Sequence, residues 1–272
     1  MAKKFIKMHG LGNDFAIFDG RSERLDISPS QIRVLANRRT GIGFDQMLIM
    51  EPPTSAGTDI FLRIFNADGG EVGACGNATR GIAKILMSEL KKSEVTLETE
   101  AARLKAYMAG NKVTVDMGPA CLDWKDIPLS REENTLSLPV IEGGLKHPVA
   151  VNIGNPHAVF FVDNAAKVAL ETIGSKIEHH PLFPERANVE VAQVLSPSTI
   201  RMRVWERGAG VTQACGTGAC AVAVAGVRRG LTQRKATIVL DGGELDIEWR
   251  ESDGHVLMTG DVVEVYRGEI AL

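Results

Sequence analysis

The sequence predicts an α+β protein of two pseudo-symmetric domains of one fold, each a many-stranded sheet wrapped around a buried central helix. Three observations indicate this fold: a long internal repeat, many short β-branched runs that end at Gly or Asp, and one strongly apolar helical run in each half. Of the 272 residues, 44% are hydrophobic and 24% are charged, which is typical of a globular chain that buries real cores.

Short matching segments about 140 positions apart carry the repeat. Ala74-Cys75-Gly76-Asn77 matches Ala214-Cys215-Gly216-Thr217 at an offset of 140. Leu11-Gly12-Asn13-Asp14-Phe15 resembles Ile153-Gly154-Asn155-Pro156-His157 at an offset of 142. A single repeat of half the chain indicates two tandem domains rather than a solenoid. We expect one domain at 1–120, completed by a last strand at about 263–272, and the other at 121–262.

Eleven runs of alternating or β-branched residues predict the strands. They are Phe15–Phe18, Gln46–Met50, Asp59–Phe65, Lys112–Asp116, Val149–Ile153, Val159–Val162, Val189–Val194, Thr199–Trp205, Ala236–Leu240, Leu245–Trp249 and Val262–Tyr266.

Outside the cysteine motifs, the sequence predicts two further helices and one linker. Ser28 followed by Pro29 and Gln31 forms a capping-box signature, and Gly41 is expected to end that helix. A second helix of this kind is expected at Ala165–Ile173, and Met117–Asp123 reads as a linker.

Each cysteine motif opens a helical run. The run after Cys75 continues through Leu90, and the run after Cys215 continues through Ala225. The second run is apolar on every side, so it is expected to be a wholly buried central helix.

Composition excludes several classes of function. A formal net charge of −3 argues against a general electrostatic grip on nucleic acid. The N-terminus lacks the apolar run of a signal peptide, and no stretch of 18 apolar residues predicts a membrane span. The four cysteines (Cys75, Cys121, Cys215, Cys220) show no CxxC spacing, which favours free thiols in a reducing cytoplasm. No His/Cys cluster has metal-ligand spacing, so no metal is expected.

The paired cysteines suggest acid–base chemistry. A helix N-terminus offers unpaired backbone N–H groups and a positive dipole end, so we expect a lowered thiol pKa and a place for a carboxylate. Two such thiols on opposite faces of one α-carbon would remove a proton from one face and deliver a proton to the other, inverting the centre. A lone Ala-Cys-Gly before a helix is usually only a packing site. Two copies in register favour Cys75 and Cys215 as the reactive pair, whereas Cys121 and Cys220 read as structural thiols.

Other polar residues have both a structural and a functional interpretation. His157 is either a structural hydrogen-bonding group or an acid–base partner, and Glu206-Arg207 is either a surface ion pair or part of the site. The four residues Asn13, Asn66, Asn155 and Asn188 are typical turn caps. Their repeat-related positions, with Gln46 and Glu206, favour a ring of ligand-binding groups.

The motifs resemble the diaminopimelate epimerase family over nearly the whole chain. The stretches that carry the resemblance are Met8–Phe15, Gly41–Gln46, Phe65–Gly69, Cys75–Asn77, Gly154–His157, Glu185–Val189, Glu206–Gly210 and Ala214–Ala219. The chain departs from the usual family pattern at Ala74, Ala78, Gly81 and Val211, none of which is a proposed ligand.

The resemblance implies a cofactor-independent, two-cysteine epimerase that interconverts LL- and meso-diaminopimelate for lysine and peptidoglycan synthesis. It implies a site in the interdomain cleft, a cytoplasmic homodimer, Cys75 and Cys215 as base and acid, and His157 and Glu206 as groups that adjust the thiols. The implied substrate-binding residues are Asn13, Gln46, Asn66, Gly76, Asn77, Asn155, Asn188, Glu206, Arg207, Gly216 and Thr217.

Three other functions compete with this one. A proline or hydroxyproline racemase shares the two-thiol chemistry, but the many Asn, Gln, Glu and Arg groups here suit a substrate with a second zwitterionic end. A binding protein would hold an amino acid without exchanging its α-proton. A thiol redox protein is disfavoured by the absence of CxxC.

Overall fold

The computed structural model of the chain describes residues 2–73 and 76–271. They divide into two compact units, Met1–Val115 with Gly260–Leu272, and Asp116–Thr259. Each unit contains a large mixed sheet and few helices, which confirms the predicted α+β class. No helix within the described residues is long and apolar enough to cross a membrane.

The first unit is built mainly from strands. Its elements are β1 (Ala2–Gly10), β2 (Asn13–Asp19), α1 (Pro29–Ala36), β3 (Gln46–Glu51), β4 (Ile60–Asn66), β5 (Glu71–Val72), α2 (Gly76–Leu90), β6 (Glu94–Glu98), β7 (Arg103–Ala109), the first part of β8 (Lys112–Pro119), and the last strand of the chain, Val263–Ala271.

The second unit repeats this plan. Its elements are β9 (Ile141–Glu142), β10 (Leu145–Lys146), β11 (Val149–Asn152), β12 (Pro156–Phe161), a 3₁₀ turn (Ala165–Lys167), α3 (Leu170–Glu178), β13 (Asn188–Ser196), β14 (Thr199–Glu206), β15 (Gly210–Thr212), α4 (Gly216–Arg228), β16 (Lys235–Leu240), β17 (Gly243–Trp249) and β18 (His255–Gly260); the last strand of the chain is β19.

Strand pairing reproduces the sequence repeat in both units. In the first, β1–β2 is antiparallel, β2–β3 parallel, β3–β4 antiparallel and β4–β6 parallel. In the second, β11–β12, β12–β13, β13–β14 and β14–β16 follow the same order of directions. Phe15 lies opposite Gln46, and His157 lies opposite Asn188, so the registers agree with the offset of 142.

One helix in each unit packs on the inner face of its sheet. In α4, every residue from Gly218 to Gly226 is buried, and the helix contacts strands β11–β14, β16 and β17. This confirms the predicted central helix, which its Ala and Val side chains allow because small residues let the strands approach closely. In the first unit, α2 packs against β1, β6 and β7.

The outer face of each sheet carries a second helix. The predicted capping box of α1 is present: the Gln31 N–H donates to Ser28 Oγ, and the Ser28 N–H donates to Gln31 Oε1. The predicted end near Gly41 is wrong, because α1 ends at Ala36. The side chain of Asn37 accepts hydrogen bonds from the backbone N–H groups of the next turn and closes the helix there.

Two other boundary predictions are corrected by side-chain caps and strand pairing. The expected helix Ala165–Ile173 is a 3₁₀ turn followed by α3, because Asn164 caps the turn and Val168 is extended. The expected linker Met117–Asp123 is partly strand, since β8 continues to Pro119.

Candidate active site

The first cysteine motif lies only partly within the described residues. Ala74 and Cys75 lie outside the part of the chain that the structure describes, so the predicted role of Cys75 rests on the sequence. Gly76 and Asn77 are the first two residues of α2, and both are buried. They lie at a helix N-terminus, where backbone N–H groups lack helical partners and suit an anionic group.

Four predicted ligands of the first unit form a chain of side-chain amides. Asn13 Nδ2 donates to Gln46 Oε1 over 3.0 Å, and Asn77 Nδ2 donates to Asn13 Oδ1 over 3.4 Å. Gln46 Nε2 lies 3.5 Å from Asn66 Oδ1. Arg80, fully buried in α2, donates to Asn77 Oδ1 over 2.9 Å. Because a guanidinium only donates, this contact fixes which end of the Asn77 amide faces Asn13.

An ion cluster, missed by the sequence analysis, supports this amide chain. Arg38 binds both carboxylate oxygens of Asp14, at 2.9 and 2.7 Å, and also Asp45 Oδ1 at 2.7 Å. The buried Lys7 Nζ lies 2.6 Å from Asp14 Oδ2. Burial raises the pKa of Asp14, but hydrogen bonds from Arg38 and Lys7 outweigh burial and hold that pKa well below its ordinary value. The cluster anchors the segment that presents Asn13.

Cys215 is the N-cap of α4 and is 4% exposed. The Gly218 N–H donates to Cys215 Sγ over 3.3 Å, and Thr217 Oγ1 lies 3.5 Å from the same sulfur. The thiol therefore replaces the usual oxygen of a helix cap. Gly216 and Thr217, both predicted ligands, are the first two residues of this helix.

The expectation of a lowered thiol pKa is wrong for Cys215. Burial raises its pKa well above the ordinary value, and the charges of Glu206 and Glu190 raise it further. The hydrogen bonds from Thr217 and the Gly218 N–H lower it, but by less. Loss of water and two nearby carboxyl groups therefore outweigh the helix N-terminus, and the resting form is the thiol.

Glu206 is a carboxyl group placed beside that thiol. It lies at the end of β14, and Thr212 Oγ1 donates to its Oε1 over 2.5 Å. Burial raises the pKa of Glu206, while hydrogen bonds from Thr212 and from the Cys215 thiol lower it. Glu206 and Cys215 are therefore close enough to shift each other's pKa, and the role of Glu206 in adjusting the thiol stays a prediction.

His157 is fully buried and has a partner on each ring nitrogen. Its Nδ1 lies 2.6 Å from Glu190 Oε1, and its Nε2 lies 2.8 Å from Asn155 Oδ1. Asn155 and His157 are both predicted site residues, and the structure brings them together. Glu190, also fully buried, was missed, although an acidic residue inside a β-branched run is a signal that could have found it.

The remaining predicted ligands of the second unit are Asn188, at the start of β13, and Arg207, directly after the end of β14. Asn188 Nδ2 donates to the Pro156 carbonyl over 3.1 Å, and Asn188 Oδ1 accepts the Arg207 N–H over 2.9 Å. The exposed Arg207 side chain donates a hydrogen bond from Nη1 to the Glu185 carbonyl over 2.9 Å. Asn188 thus organises the backbone that carries Glu206 and Arg207.

Glu178 braces the same turn from α3. This buried carboxylate accepts the Trp205 Nε1–H over 2.7 Å and the Gly208 N–H over 3.1 Å. The two contacts lie on either side of Glu206 and Arg207 and hold both residues in place.

The second-unit cluster is suited to proton transfer at a carbon acid. It contains a protonated thiol, an adjacent carboxyl group, a buried imidazole, and backbone N–H groups at a helix N-terminus that can receive a carboxylate. Among residues 2–73 and 76–271, no group of three or more His, Cys, Asp or Glu side chains is arranged to hold a metal ion.

Known structures share this fold at low identity. A PhzF-family phenazine biosynthesis protein from Bacillus anthracis aligns with a TM-score of 0.71 and 16% identity, covering 100% of both chains. A hydroxyproline epimerase from Agrobacterium vitis aligns with a TM-score of 0.69 and 15% identity, covering 99% of this chain and 91% of the other. These likenesses establish the fold alone.

Curated relatives are far more similar in sequence. A diaminopimelate epimerase from Rhodospirillum centenum is 54% identical, covering 100% of this chain and 93% of the relative. One from Gluconobacter oxydans is 51% identical, with 100% of each chain covered. The diaminopimelate epimerase family model matches residues 5–122 and 149–265. The chain therefore belongs to the diaminopimelate epimerase family, the amino-acid isomerases that act on diaminopimelate in lysine biosynthesis.

Proposed function

We propose that the chain interconverts LL- and meso-diaminopimelate by a two-base mechanism in which Cys75 and Cys215 act on the same α-carbon. One thiolate accepts the α-proton, and the other thiol donates a proton to the opposite face. The observation that carries the proposal is the Cys215 thiol, capped by the Gly218 N–H and lying beside Glu206 at the start of α4. The paired motif in the sequence adds Cys75.

The electrostatics of Cys215 support a division of roles. Because its pKa is raised, Cys215 waits as a thiol and serves as proton donor when the other cysteine removes the α-proton. In the reverse direction Cys215 must lose its proton, which requires the substrate to change its surroundings. A bound ammonium group near Glu206 would do so, because it would offset the carboxylate charge that disfavours the thiolate.

We further propose that each unit is one epimerase half and that the polar residues described above bind the substrate. The first unit would contribute the amides of Asn13, Gln46, Asn66 and Asn77 with the Gly76 N–H. The second would contribute Asn155, Asn188, Glu206 and Arg207 with the N–H groups of Gly216 and Thr217. Amides and N–H groups suit carboxylates, and Glu206 suits an ammonium group.

The test is solvent deuterium exchange with LL-diaminopimelate and no added cofactor. In a two-base enzyme, early deuterium appears in the epimerised product and not in the recovered substrate, because each face is served by a different group. Cys75→Ala and Cys215→Ala should each abolish stereoinversion, whereas Cys121→Ala, at a half-buried thiol outside the cluster, should not. Near-normal turnover by either active-site variant would exclude the mechanism. Comparable turnover of proline would indicate a racemase instead.

We also propose a cytoplasmic homodimer formed through β19. Three large apolar side chains on this strand, Val263, Val265 and Tyr266, are 46%, 54% and 44% exposed. Such a row favours burial against a second copy of the chain. Tyr266→Lys should shift the sedimenting species from dimer to monomer, whereas Tyr107→Lys, on β7, should leave it unchanged. A wild-type monomer at micromolar concentration would refute this assembly.

A further inference from the structure

His157 and Glu190 occupy positions at which the first unit has an apolar pair. The parallel registers align Phe15 with Gln46 and Ile17 with Leu48 in the first unit. They align His157 with Asn188 and Val159 with Glu190 in the second. His157 therefore corresponds to Phe15, and Glu190 to Leu48.

All four of these residues are fully buried. The repeat thus shows that the fold needs only two apolar side chains here. Burying a carboxyl group and an imidazole instead is energetically unfavourable unless they hydrogen-bond to each other. Since the fold does not require this polar pair, we infer that it has a functional role.

The hydrogen bonds fix where the protons lie. Asn155 Oδ1 can only accept, so the His157 Nε2 that lies 2.8 Å from it carries a hydrogen. His157 Nδ1 then either accepts from a Glu190 carboxylic acid or donates to a Glu190 carboxylate, and the pair has no net charge in either case. No group among the described residues hydrogen-bonds to Glu190 Oε2, so Glu190 engages its surroundings through Oε1.

The chain leaves room for this carboxyl group at one place on α4. A Cβ built on Gly218 would lie 2.9 Å from Glu190 Oε1 and 3.2 Å from Cys215 Sγ. Glycine at this position lets Glu190 approach both the helix N-terminus and the thiol. Glu190 is thus held between His157 on its own sheet and the capping turn of α4.

We propose that Glu190 is a positioning residue that acts through His157 on Asn155. Glu190 holds the imidazole in the form with Nε2–H toward Asn155, and that contact turns the Asn155 side chain so that its NH₂ group points away from His157, toward a substrate carboxylate. This inference rests on the proposed role of Asn155 as a substrate ligand. Without Glu190 the ring is free to change tautomer, and the Asn155 amide loses its fixed orientation.

Two substitutions at Glu190 separate orientation from charge. Glu190→Gln keeps a donor for His157 Nδ1 and should retain kcat/KM within about threefold. Glu190→Leu removes the partner and should raise KM for diaminopimelate by about tenfold or more with a smaller effect on kcat, as expected when an oriented binding group is lost. Val191→Ala, next along β13 with its side chain in the opposite core, controls for lost stability and should leave KM unchanged.

Nitrogen-15 NMR of the His157 ring gives a readout that a merely structural role would not change. The wild type and Glu190→Gln should show one state with Nε2 protonated, whereas Glu190→Leu should show a mixture of tautomers. A single unchanged tautomer in Glu190→Leu would overturn the proposal.

A double-mutant cycle tests the path of the effect. In the Asn155→Ala background, Glu190→Leu should change KM by less than about twofold, because its target is already gone. Independent, multiplying effects would overturn the proposal. If Asn155→Ala itself leaves KM unchanged, the proposed ligand role of Asn155 fails. If Asn155→Ala raises KM but Glu190→Leu does not, only the proposal about Glu190 fails.

A second variant keeps the proposal falsifiable if Glu190→Leu does not fold. His157→Phe/Glu190→Leu rebuilds the apolar pair that the first unit uses at Phe15 and Leu48, so it should fold. Its KM should rise to that of Asn155→Ala. A normal KM in this folded variant would show that the buried pair does not orient the binding group.

Discussion

Replacing Gly218 by alanine should impair catalysis much more than it impairs stability. The new Cβ would lie 2.9 Å from Glu190 Oε1, 3.0 Å from Met202 Cε and 3.2 Å from Cys215 Sγ. Ordinary non-bonded contacts between carbon atoms begin near 3.5 Å. The three neighbours must therefore yield by several tenths of an ångström.

The three neighbours differ in how easily they move. The end of the Met202 side chain is flexible, whereas Glu190 is held by His157 at 2.6 Å and Cys215 Sγ is held by the backbone N–H of residue 218 itself. Overpacking costs about 1–3 kcal/mol of stability. Alanine in place of glycine inside a helix stabilises the fold by about 1 kcal/mol, so the net loss in the free energy of unfolding is about 0–2 kcal/mol.

The effect on rate follows from the displaced sulfur. A misplacement of about 1 Å at a reacting group costs about a hundredfold, so a shift of several tenths should reduce kcat by about tenfold or more. Steady-state kinetics and urea unfolding of Gly218→Ala measure the two effects side by side. Met202→Leu in the same background relieves only the methionine contact and should not restore kcat. A Gly218→Ala enzyme with normal kcat, or full rescue by Met202→Leu, would refute the reasoning.

Three further predictions follow from the same geometry. Glu206→Gln should lower the pKa of Cys215, because it removes a nearby negative charge. Thiolate absorbance titrated against pH measures this pKa, with the same protein carrying Cys215→Ala as the baseline, and a titration curve equal to that of the wild type would contradict the prediction. Because the pKa of Asp14 is lowered in the fold, its stabilising effect is present above about pH 4 and lost as the pH falls through the folded-state pKa, so the difference in Tm between wild type and Asp14→Asn should shrink in acid. Trp205→Phe should cost about 1–3 kcal/mol in urea unfolding, because Glu178 Oε2 loses its donor; a smaller loss in a Glu178→Gln background would confirm the pairing.

The repeat made most of the fold predictable. Nearly constant offsets of 140 and 142 between matching segments predicted the same strand order in both halves, and the observed registers of Phe15 with Gln46 and His157 with Asn188 agree with it. Among the strands that were missed, β1 breaks the alternation at Lys3-Lys4 and Phe5-Ile6, and β6 and β7 alternate apolar with polar residues over only five and seven residues. A pattern that short becomes a strand mainly through its pairing partners, which the sequence alone does not display.

The site was only partly predictable for a related reason. Motif residues such as Asn155, Asn188 and Cys215 were identified because the repeat marks them. Glu190 was missed because no second copy marks it, and the ion cluster of Asp14 was missed because Arg38 lies 24 positions away. The pKa of Cys215 was predicted in the wrong direction, because a helix N-terminus can be read from sequence while burial and facing carboxyl groups cannot.

The places where the two units differ are more informative about mechanism than the places where they agree. In the proposed mechanism, two thiols on opposite faces of one carbon share a single proton, so one is a thiol while the other is a thiolate. If the two cysteines had identical surroundings, each would carry the proton in half of the enzyme molecules. Only half of the molecules would then be in the protonation state that a given epimer needs. The second unit has Glu206 and Glu190 close enough to act on Cys215, at positions where the first unit has Asn66 and Leu48. Burial raises the pKa of Cys215, and these two carboxyl groups raise it further, so we propose that Cys215 is the thiol that holds its proton at rest.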